Sequence, residues 1–579
     1  MDVYLFKLNN KMANFNIDSQ RRKRYDAIVI GSGISGGWAA KELCEKGLRT
    51  LVLERGRDVQ HVKDYPTAMK NPWEFEHRGQ VPIEIKNQYA GSRSFLREET
   101  LHWAIKPDEQ PFIQEKPFTW TRGYHVGGKS LLWARQTQRW SDFDFEGPQR
   151  DGFAIDWPIR YKDIAPWYSH VERFAGVSGN KDGLPHLPDG EFLPPIELSC
   201  VEAHIKDTLA KSYTDRQLIQ ARCAHITEPQ QIHYDQGRGK CQHRNLCVRG
   251  CPYGGYFSSN ASTLPWAAKT KKMTLKPNSV VHSIIYDERK KDAKGVRVID
   301  SQTMEMTEYY AKIIFVNAGA INSNAILLNS TSNRFENGLG NDNGLLGKYL
   351  SWHNYRGKAS AEYEGFPNTR TDGKNPSNGY IPRFRNILKQ ETDFLRGYAI
   401  GVSAGRPLTA NRDGIGEDLK TSLLNPHYGK WYIGAWMMGE CVPEEANHIR
   451  LSKDLKDKYG IPQVILSAKW SENDDKMVKD FNEQITEMFT MAGFQNIKAD
   501  DSHSNPGSDI HEMGGVRMGK DTKTSLLNEW NQLHACKNVF VTDGACMTST
   551  GTQNPSLTYM ALTARAANHA VEQLKKRNL

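Results

Sequence analysis

Apolar positions along the chain follow two rhythms. Short unbroken runs occur at Ala27-Ile28-Val29-Ile30, Thr50-Leu51-Val52-Leu53, Ile313-Ile314-Phe315-Val316 and Val539-Phe540-Val541. Runs of this length, bounded by turn residues, predict strands buried on both faces of a parallel sheet. Between 350 and 470 the pattern changes to alternation, with aromatics in Tyr380–Phe384, Tyr398–Val402 and Trp431–Met437. Alternation predicts a largely antiparallel sheet. Two further β-rich segments surround Thr274–Tyr286 and Ala293–Val298. Amphipathic helices are predicted over Asp163–Phe174 and about 472–492. The class is α/β (α+β overall).

Strand-turn-helix segments of the first type recur at the start, middle and end. That predicts a discontinuous nucleotide-binding domain over 21–150, 240–350 and 500–579. A second, substrate-binding domain is predicted over 151–239 and 351–499. Residues 1–20 are polar and aperiodic and are expected to be disordered. The irregular stretch 57–118 is too long for a simple connector. It is expected to cover a cofactor or to meet a partner.

The first run enters Gly31-Ser32-Gly33-Ile34-Ser35-Gly36, and the second ends on Glu54, 21 residues after Gly33. Strand, glycine turn, helix, strand and terminal acid together form the dinucleotide fingerprint. Gly31 makes the turn, Gly33 lets backbone approach a pyrophosphate, and Gly36 allows close helix–strand packing. Glu54 suits a ribose and disfavours a 2′-phosphate, so FAD or NAD fits better than NADP. A second glycine block, Val126-Gly127-Gly128-Lys129-Ser130, is compatible with backbone packed on a ligand or with an ordinary turn.

Composition changes little in this picture. The 579 residues are 38% hydrophobic and 25% charged, with net charge +9. This is ordinary globular chemistry with no dense basic tract, so nucleic-acid binding is not expected. No apolar run reaches transmembrane length. Arg21-Arg22-Lys23-Arg24 is followed by the dinucleotide strand and not by an export signal's apolar region.

Nine cysteines are too few for a disulfide scaffold, but three cluster as Cys241-x5-Cys247-x3-Cys251-Pro252. Three readings compete: unconnected thiols, zinc held with His243, and iron–sulfur ligation. Structural zinc usually shows paired hooks, whereas a loop closing on Cys-Pro is the style of iron–sulfur ligation.

Four blocks in order resemble the glucose–methanol–choline (GMC) flavoprotein oxidoreductases. They are the fingerprint with Glu54, Val126-Gly127-Gly128, Val316–Ala320, and His511 to Thr558. The resemblance covers nearly the whole chain from Tyr25. It implies FAD across a Rossmann-type domain, with an antiparallel sheet roofing the flavin. Implied FAD contacts are Gly31, Gly33, Ser35, Gly36, Glu54, Arg55, Arg122, Gly127, Gly128, Ser130, Val281, Ala318, Gly319, Asp543, Gly544, Asn554, Pro555 and Thr558. The tail block resembling H-x-x-G-G-x-x-x-G implies His511 as base, and that resembling N-P-x-x-T implies Asn554 as its partner. Leu132 stands where some relatives carry a flavin-linking histidine, so the FAD is expected to be non-covalent. The branch with C-x5-C-x3-C-P, the bacterial glucose and glucoside 3-dehydrogenases, implies a [3Fe–4S] cluster at Cys241, Cys247 and Cys251.

The chemistry agrees with that resemblance. Alcohol oxidation needs a base for the hydroxyl proton, and a neutral imidazole suits that role. An amide can orient the same hydroxyl without competing for the proton. The resemblance implies a sugar or glycoside dehydrogenase, with C3 of a glucoside the leading position and glucose C1 or gluconate C2 as alternatives. It further implies a small export subunit, a cytochrome c acceptor and a periplasmic location, a cytoplasmic one being the alternative. An oxygen-using pyranose-type oxidase and a non-catalytic flavin- or metal-binding subunit are the competing classes. Substrate-facing candidates are Gln88, Arg93, Asn354, Arg383, Trp431, Trp436 and Glu440. Other histidines, such as His353 and His534, are read as structural.

Overall fold

The computed structural model describes residues 23–89, 96–369, 378–409, 414–425 and 427–579. The expectation for 1–20 and the candidate Arg93 lie outside them. A six-stranded sheet runs in the order Gln532–Leu533, Cys536–Val541, Ile313–Val316, Ala27–Ile30, Thr50–Leu53, Met273–Lys276. It is parallel except for the 532–533 edge. Ile28 and Ile30 enter one core while Ala27 and Val29 enter another. Strands Ala27–Ile30, Thr50–Leu53 and Ile313–Val316 are buried at every position, which is why their runs are unbroken, whereas the edge strand Met273–Lys276 is not. Helix Ile34–Glu45 lies against helix Ser556–Lys575 across Ala39, Ala40, Ala566, Ala567 and Ala570, small side chains that let two backbones approach closely.

The segment around Thr274–Tyr286 is two strands, Met273–Lys276 and Ser279–Asp287, in different sheets. Pro277 supplies no N–H, and Asn278 turns the chain in the left-handed region at φ 56°. The second piece joins Asp292–Asp300, Met306–Tyr310 and Lys23–Arg24 in a four-stranded sheet.

The alternating region forms an antiparallel seven-stranded sheet. Its main path is Gln495–Asp501, Gly357–Tyr363, Trp431–Glu440, Tyr398–Gly405, Gly379–Ile381, Ile219–Gln220, with His353–Asn354 paired to Glu440 and Gly439. Along Trp431–Glu440 the faces separate with period two. Trp431, Ile433, Ala435 and Met437 pack with Met477, Phe481 and Ile485 of helix Glu472–Met491, whereas Trp436 and Met438 join Ala221, Tyr380 and Ala399 on the other face. Ser471 starts that helix with a capping box to Asp474. The second face looks towards the six-stranded sheet, across the cavity described next.

The described residues of 57–118, namely 57–89 and 96–118, pack over the cysteine loop and one wall of that cavity. Trp103 Nε1 donates to Val248 O at 3.0 Å, and Arg249 donates to Lys70 O and Glu99, both at 3.0 Å. Gln110, from the same stretch, lines the cavity.

Candidate active site

One continuous cavity of about 590 Å³ runs from the glycine turn to His511 and Asn554. At its first end Gly31 has φ +94°, and a Cβ there would lie 2.3 Å from Asn317 O. A Cβ on Gly36 would lie 1.9 Å from Gly31 O. These two glycines close the turn on itself. Gly33 differs: a Cβ there meets nothing within 4 Å, so its bare backbone faces open cavity. Ser35 Oγ, in the first turn of the helix, is buried, and it has no hydrogen-bond partner among the described residues. An unpaired donor at a helix N-terminus beside an open glycine is what a pyrophosphate requires.

Glu54 is buried, and burial raises its pKa despite bonds from Ser32 N, Ser32 Oγ (2.6 Å) and Gly56 N. Arg55, Arg122, Gly128, Ser130, Val281, Ala318, Gly319, Asp543, Gly544 and Asn554 also line the cavity. Asp543 accepts from Gly319 N (2.9 Å) and Ser323 Oγ (2.6 Å), and burial pushes its pKa up to about 6.

Gly36, Gly127, Pro555 and Thr558 do not line it. Gly127 packs on Asn260 and donates to Ser32 Oγ at 3.0 Å. Pro555 precedes the last helix, and Thr558 Oγ1 bonds Tyr168 OH at 2.8 Å. These four shape the walls from behind. Leu132 lines the cavity, and its side chain has no group able to anchor a flavin.

At the far end His511 Nε2 lies 3.4 Å from Asn554 Nδ2, and His511 Nδ1 lies 2.9 Å from His353 Nδ1. His353 is fully buried, and its Nε2 sits 2.8 Å from Gly551 O. Asp509 accepts from His353 N at 2.8 Å, and its Oδ2 is 3.7 Å from His511 Nδ1. Burial holds His511 well below the ordinary histidine pKa, helped by His353 and Lys129. Burial also lowers His353 to about 4 and raises Asp509 to about 7. Both imidazoles are therefore neutral at pH 7, the state a base needs. Ile510, just before the base, has φ 67°, a strained conformation for a β-branched residue.

His353 is thus no remote structural histidine. No motif marks it, and it reaches His511 only because strand His353–Asn354 pairs with the roof. Asp509, Ile510, Tyr355 and Tyr380 also line the cavity unmarked by any motif, as does Trp133 at the end of the second glycine block.

Of the substrate candidates among the described residues, only Trp436 lines the cavity. Asn354 is buried and donates to Asp474 O, and Trp431 is buried in the core under the roof helix. Arg383 and Glu440 pair at 2.6 Å in a buried ionic network with Asp144, Arg396 and Asp151. Gln88 lies in helix Ile83–Gln88, exposed.

The comparisons with known proteins decide the family. Residues 25–354 match the N-terminal GMC oxidoreductase model and residues 443–563 the C-terminal one. The chain belongs to the GMC oxidoreductase family. It is 27% identical to 2-methyl-1,2-propanediol dehydrogenase of Mycolicibacterium austroafricanum, over 94% of each chain. It is 25% identical to the fructose dehydrogenase large subunit of Gluconobacter japonicus, over 95% of this chain and 98% of the other. Pyridoxine 4-oxidase from Mesorbium loti shares the fold, with TM-score 0.57 at 15% identity over 94% of this chain and 98% of that one. This GMC protein is an FAD-dependent oxidoreductase acting on CH–OH groups. The open Gly33, the unpaired Ser35 Oγ and the reach of the cavity to His511 fit that cofactor.

The cysteine loop lies beside the cavity. All three thiols are free. Burial raises the pKa of Cys241 and of Cys247, and the neighbouring thiols raise them further. Cys247 Sγ is 3.8 Å from His225 Nε2. Arg135, which lines the cavity, donates to Cys247 O at 3.0 Å. Among the described residues only His353, Asp509 and His511 bring three ligand atoms within 4.8 Å of one another. Cys241, Cys247 and Cys251 do not form such a group. No helix among the described residues is long and apolar enough to cross a membrane.

Proposed function

We propose that this GMC enzyme is a dehydrogenase of sugars or glycosides that oxidises a secondary alcohol to a ketone, best matched by C3 of a glucoside. The observation that carries the reading is the neutral His511 facing Asn554 across 3.4 Å, at the end of a cavity continuous with the dinucleotide cradle. Bound FAD supplies the hydride acceptor. His511 Nε2 takes the hydroxyl proton as hydride leaves the carbon. Asn554 orients the hydroxyl without competing for the proton. Trp133, Tyr355, Tyr380 and Trp436 give the cavity aromatic faces of the kind that stack on sugar rings.

Choice of the C3 position rests on resemblance in the cysteine loop and in Asp156-Trp157-Pro158-Ile159. Trp157 is buried and its Nε1 donates to Ser549 Oγ at 2.8 Å, so that segment acts by supporting the loop before Asn554. Glucose C1 and gluconate C2 are the alternatives within the class.

Cys241, Cys247 and Cys251 would hold a [3Fe–4S] cluster, which would supply a one-electron relay towards an outside acceptor. Support comes from three free thiols grouped beside the cavity, with Arg135 touching both. A cytochrome-type acceptor, a small export subunit and a periplasmic site follow from this reading. One relative is itself named a large subunit, which implies companion chains for that protein.

A dye-reduction screen over methyl glucosides, disaccharides, glucose and gluconate, with NMR of the product, tests the substrate. A new carbonyl at C3 supports the reading, and one elsewhere moves it to an alternative. Iron analysis with EPR of oxidised enzyme tests the cluster, and iron-free protein with full dye activity would end that part of the proposal. Hydrogen peroxide release in air as the main outcome would favour an oxidase.

A further inference from the structure

The two histidines behind the active site constrain one another's protons. Gly551 O is a carbonyl and only accepts, so the 2.8 Å contact requires a proton on His353 Nε2. His353 is buried to 0% exposure and stays neutral, so it carries one proton and its Nδ1 is bare. The nearest carboxylate oxygen, Asp509 Oδ2, lies 3.8 Å from that Nδ1, beyond hydrogen-bond reach. His511 Nδ1, 2.9 Å away, must then donate to it. A neutral His511 with a proton on Nδ1 has a bare Nε2. That nitrogen faces Asn554 Nδ2, an amide donor.

We propose that His353 is a positioning residue that sets the tautomer of His511. The Gly551 carbonyl fixes the proton on His353 Nε2, His353 Nδ1 receives the proton side of His511, and the lone pair of His511 Nε2 is left aimed into the cavity. The base is thereby prepared before substrate arrives. The device spans three chain segments, at 353, 511 and 551, and the Asp509 carboxyl stands beside it, 3.7 Å from His511 Nδ1 and outside hydrogen-bond reach of both Nδ1 atoms. Asp509, when ionised, stabilises at that distance the imidazolium that forms on proton transfer, without fixing the tautomer. Neutral His353 does so less, and it offers no negative charge to the cavity. This inference rests on the reading of His511 as base.

Ring-nitrogen NMR on wild-type protein labelled with ¹⁵N-histidine reads the tautomer directly and independently of turnover. The His511 resonances are assigned by their absence in His511→Gln. A protonated Nδ1 with a bare Nε2 is expected, and the opposite assignment overturns the proposal. Anaerobic stopped-flow flavin reduction supplies the second readout. His353→Gln leaves an amide near the Nε2 position and no acceptor at the Nδ1 position. It should slow reduction about a hundredfold, the lower end of what a general base contributes. Substrate affinity and FAD content should not change. His353→Asn, which can place an amide oxygen where Nδ1 stood, should recover most of the loss. Wild-type rates in His353→Gln, or equal losses in both variants, would overturn the proposal. His511→Ala separates the two readings. If it reduces flavin normally, the base assignment itself fails. If it is slow while His353→Gln is fast, only the tautomer inference fails.

Discussion

At the scale of single residues, the fingerprint glycines carry different loads. Gly31 combines φ +94° with an Asn317 carbonyl 2.3 Å from any added Cβ. Gly31→Ala should destabilise the fold by more than about 1 kcal/mol, seen in a lower denaturation midpoint. Gly33 has φ −64° and open space. Gly33→Val should fold with little loss of stability yet release FAD, read from the flavin-to-protein absorbance ratio. Equal stability losses in the two variants would refute the division of roles. His511 yields a prediction of its own. Only the neutral imidazole accepts a proton, and burial lowers its pKa well below the usual 6.5. The acid limb of kcat/KM for flavin reduction should therefore fall below pH 6.5, and a limb at or above that value would contradict the burial argument. Gly31, Gly33, Glu54, His511 and Asn554 line one cavity, and the sequence points to them because they sit in contiguous motifs. His353 was not legible there, because its partner is 158 positions away and is met only through strand pairing.

At the scale of elements, runs buried on both faces were read at nearly their observed bounds, as was the helix at Glu472–Met491. Alternation found the roof sheet but did not say which polar residues face the cavity. Arg383 and Glu440 are polar residues on strands, and strand pattern alone cannot distinguish a binding group from a buried ion pair. The structure resolves this as a network joining the roof to the segment at Asp144 and Asp151. Arg396 is fully buried between Glu440 (2.9 Å) and Asp151 (2.6 Å). Asp144 Oδ2 receives Gln553 Nε2 at 3.1 Å, one residue from Asn554. Removing one partner leaves a buried charge uncompensated. Arg396→Met should cost about 3–5 kcal/mol in denaturant unfolding. It should also lower the rate of flavin reduction, because the segment carrying Asn554 loses part of its support. A stable variant with normal kinetics would show that packing alone holds that segment.

At the scale of the whole molecule, burial sets the acid sensitivity. His61, His102, His125, His233 and His353 are each pushed down to about 4 by burial. Unfolded, each titrates near 6.5, so between pH 6.5 and about 4 the unfolded chain binds protons that the folded chain refuses. Stability from these groups is full above pH 6.5 and is lost as pH falls through that window. Asp509 and Asp543 act in the opposite sense. Their folded values of about 7 and about 6 exceed the ordinary carboxylate value, so over the pH range between those values the folded state holds the extra protons. Their contribution grows as pH falls. Among the described residues burial lowers eleven histidines in all and raises seven carboxyls, so the imidazoles prevail and the melting temperature should drop between pH 6.5 and 4.5. His125 and His102 flank Trp103 in the stretch that clamps the cysteine loop. Acid should therefore loosen that clamp, and hydrogen exchange at pH 5 should show 100–126 and 241–252 opening more than strand Ala27–Ile30. A melting temperature that is flat or rising towards pH 4.5 would mean that these imidazoles find protons in the folded state. The aromatic packing around Trp103 would then have to admit water.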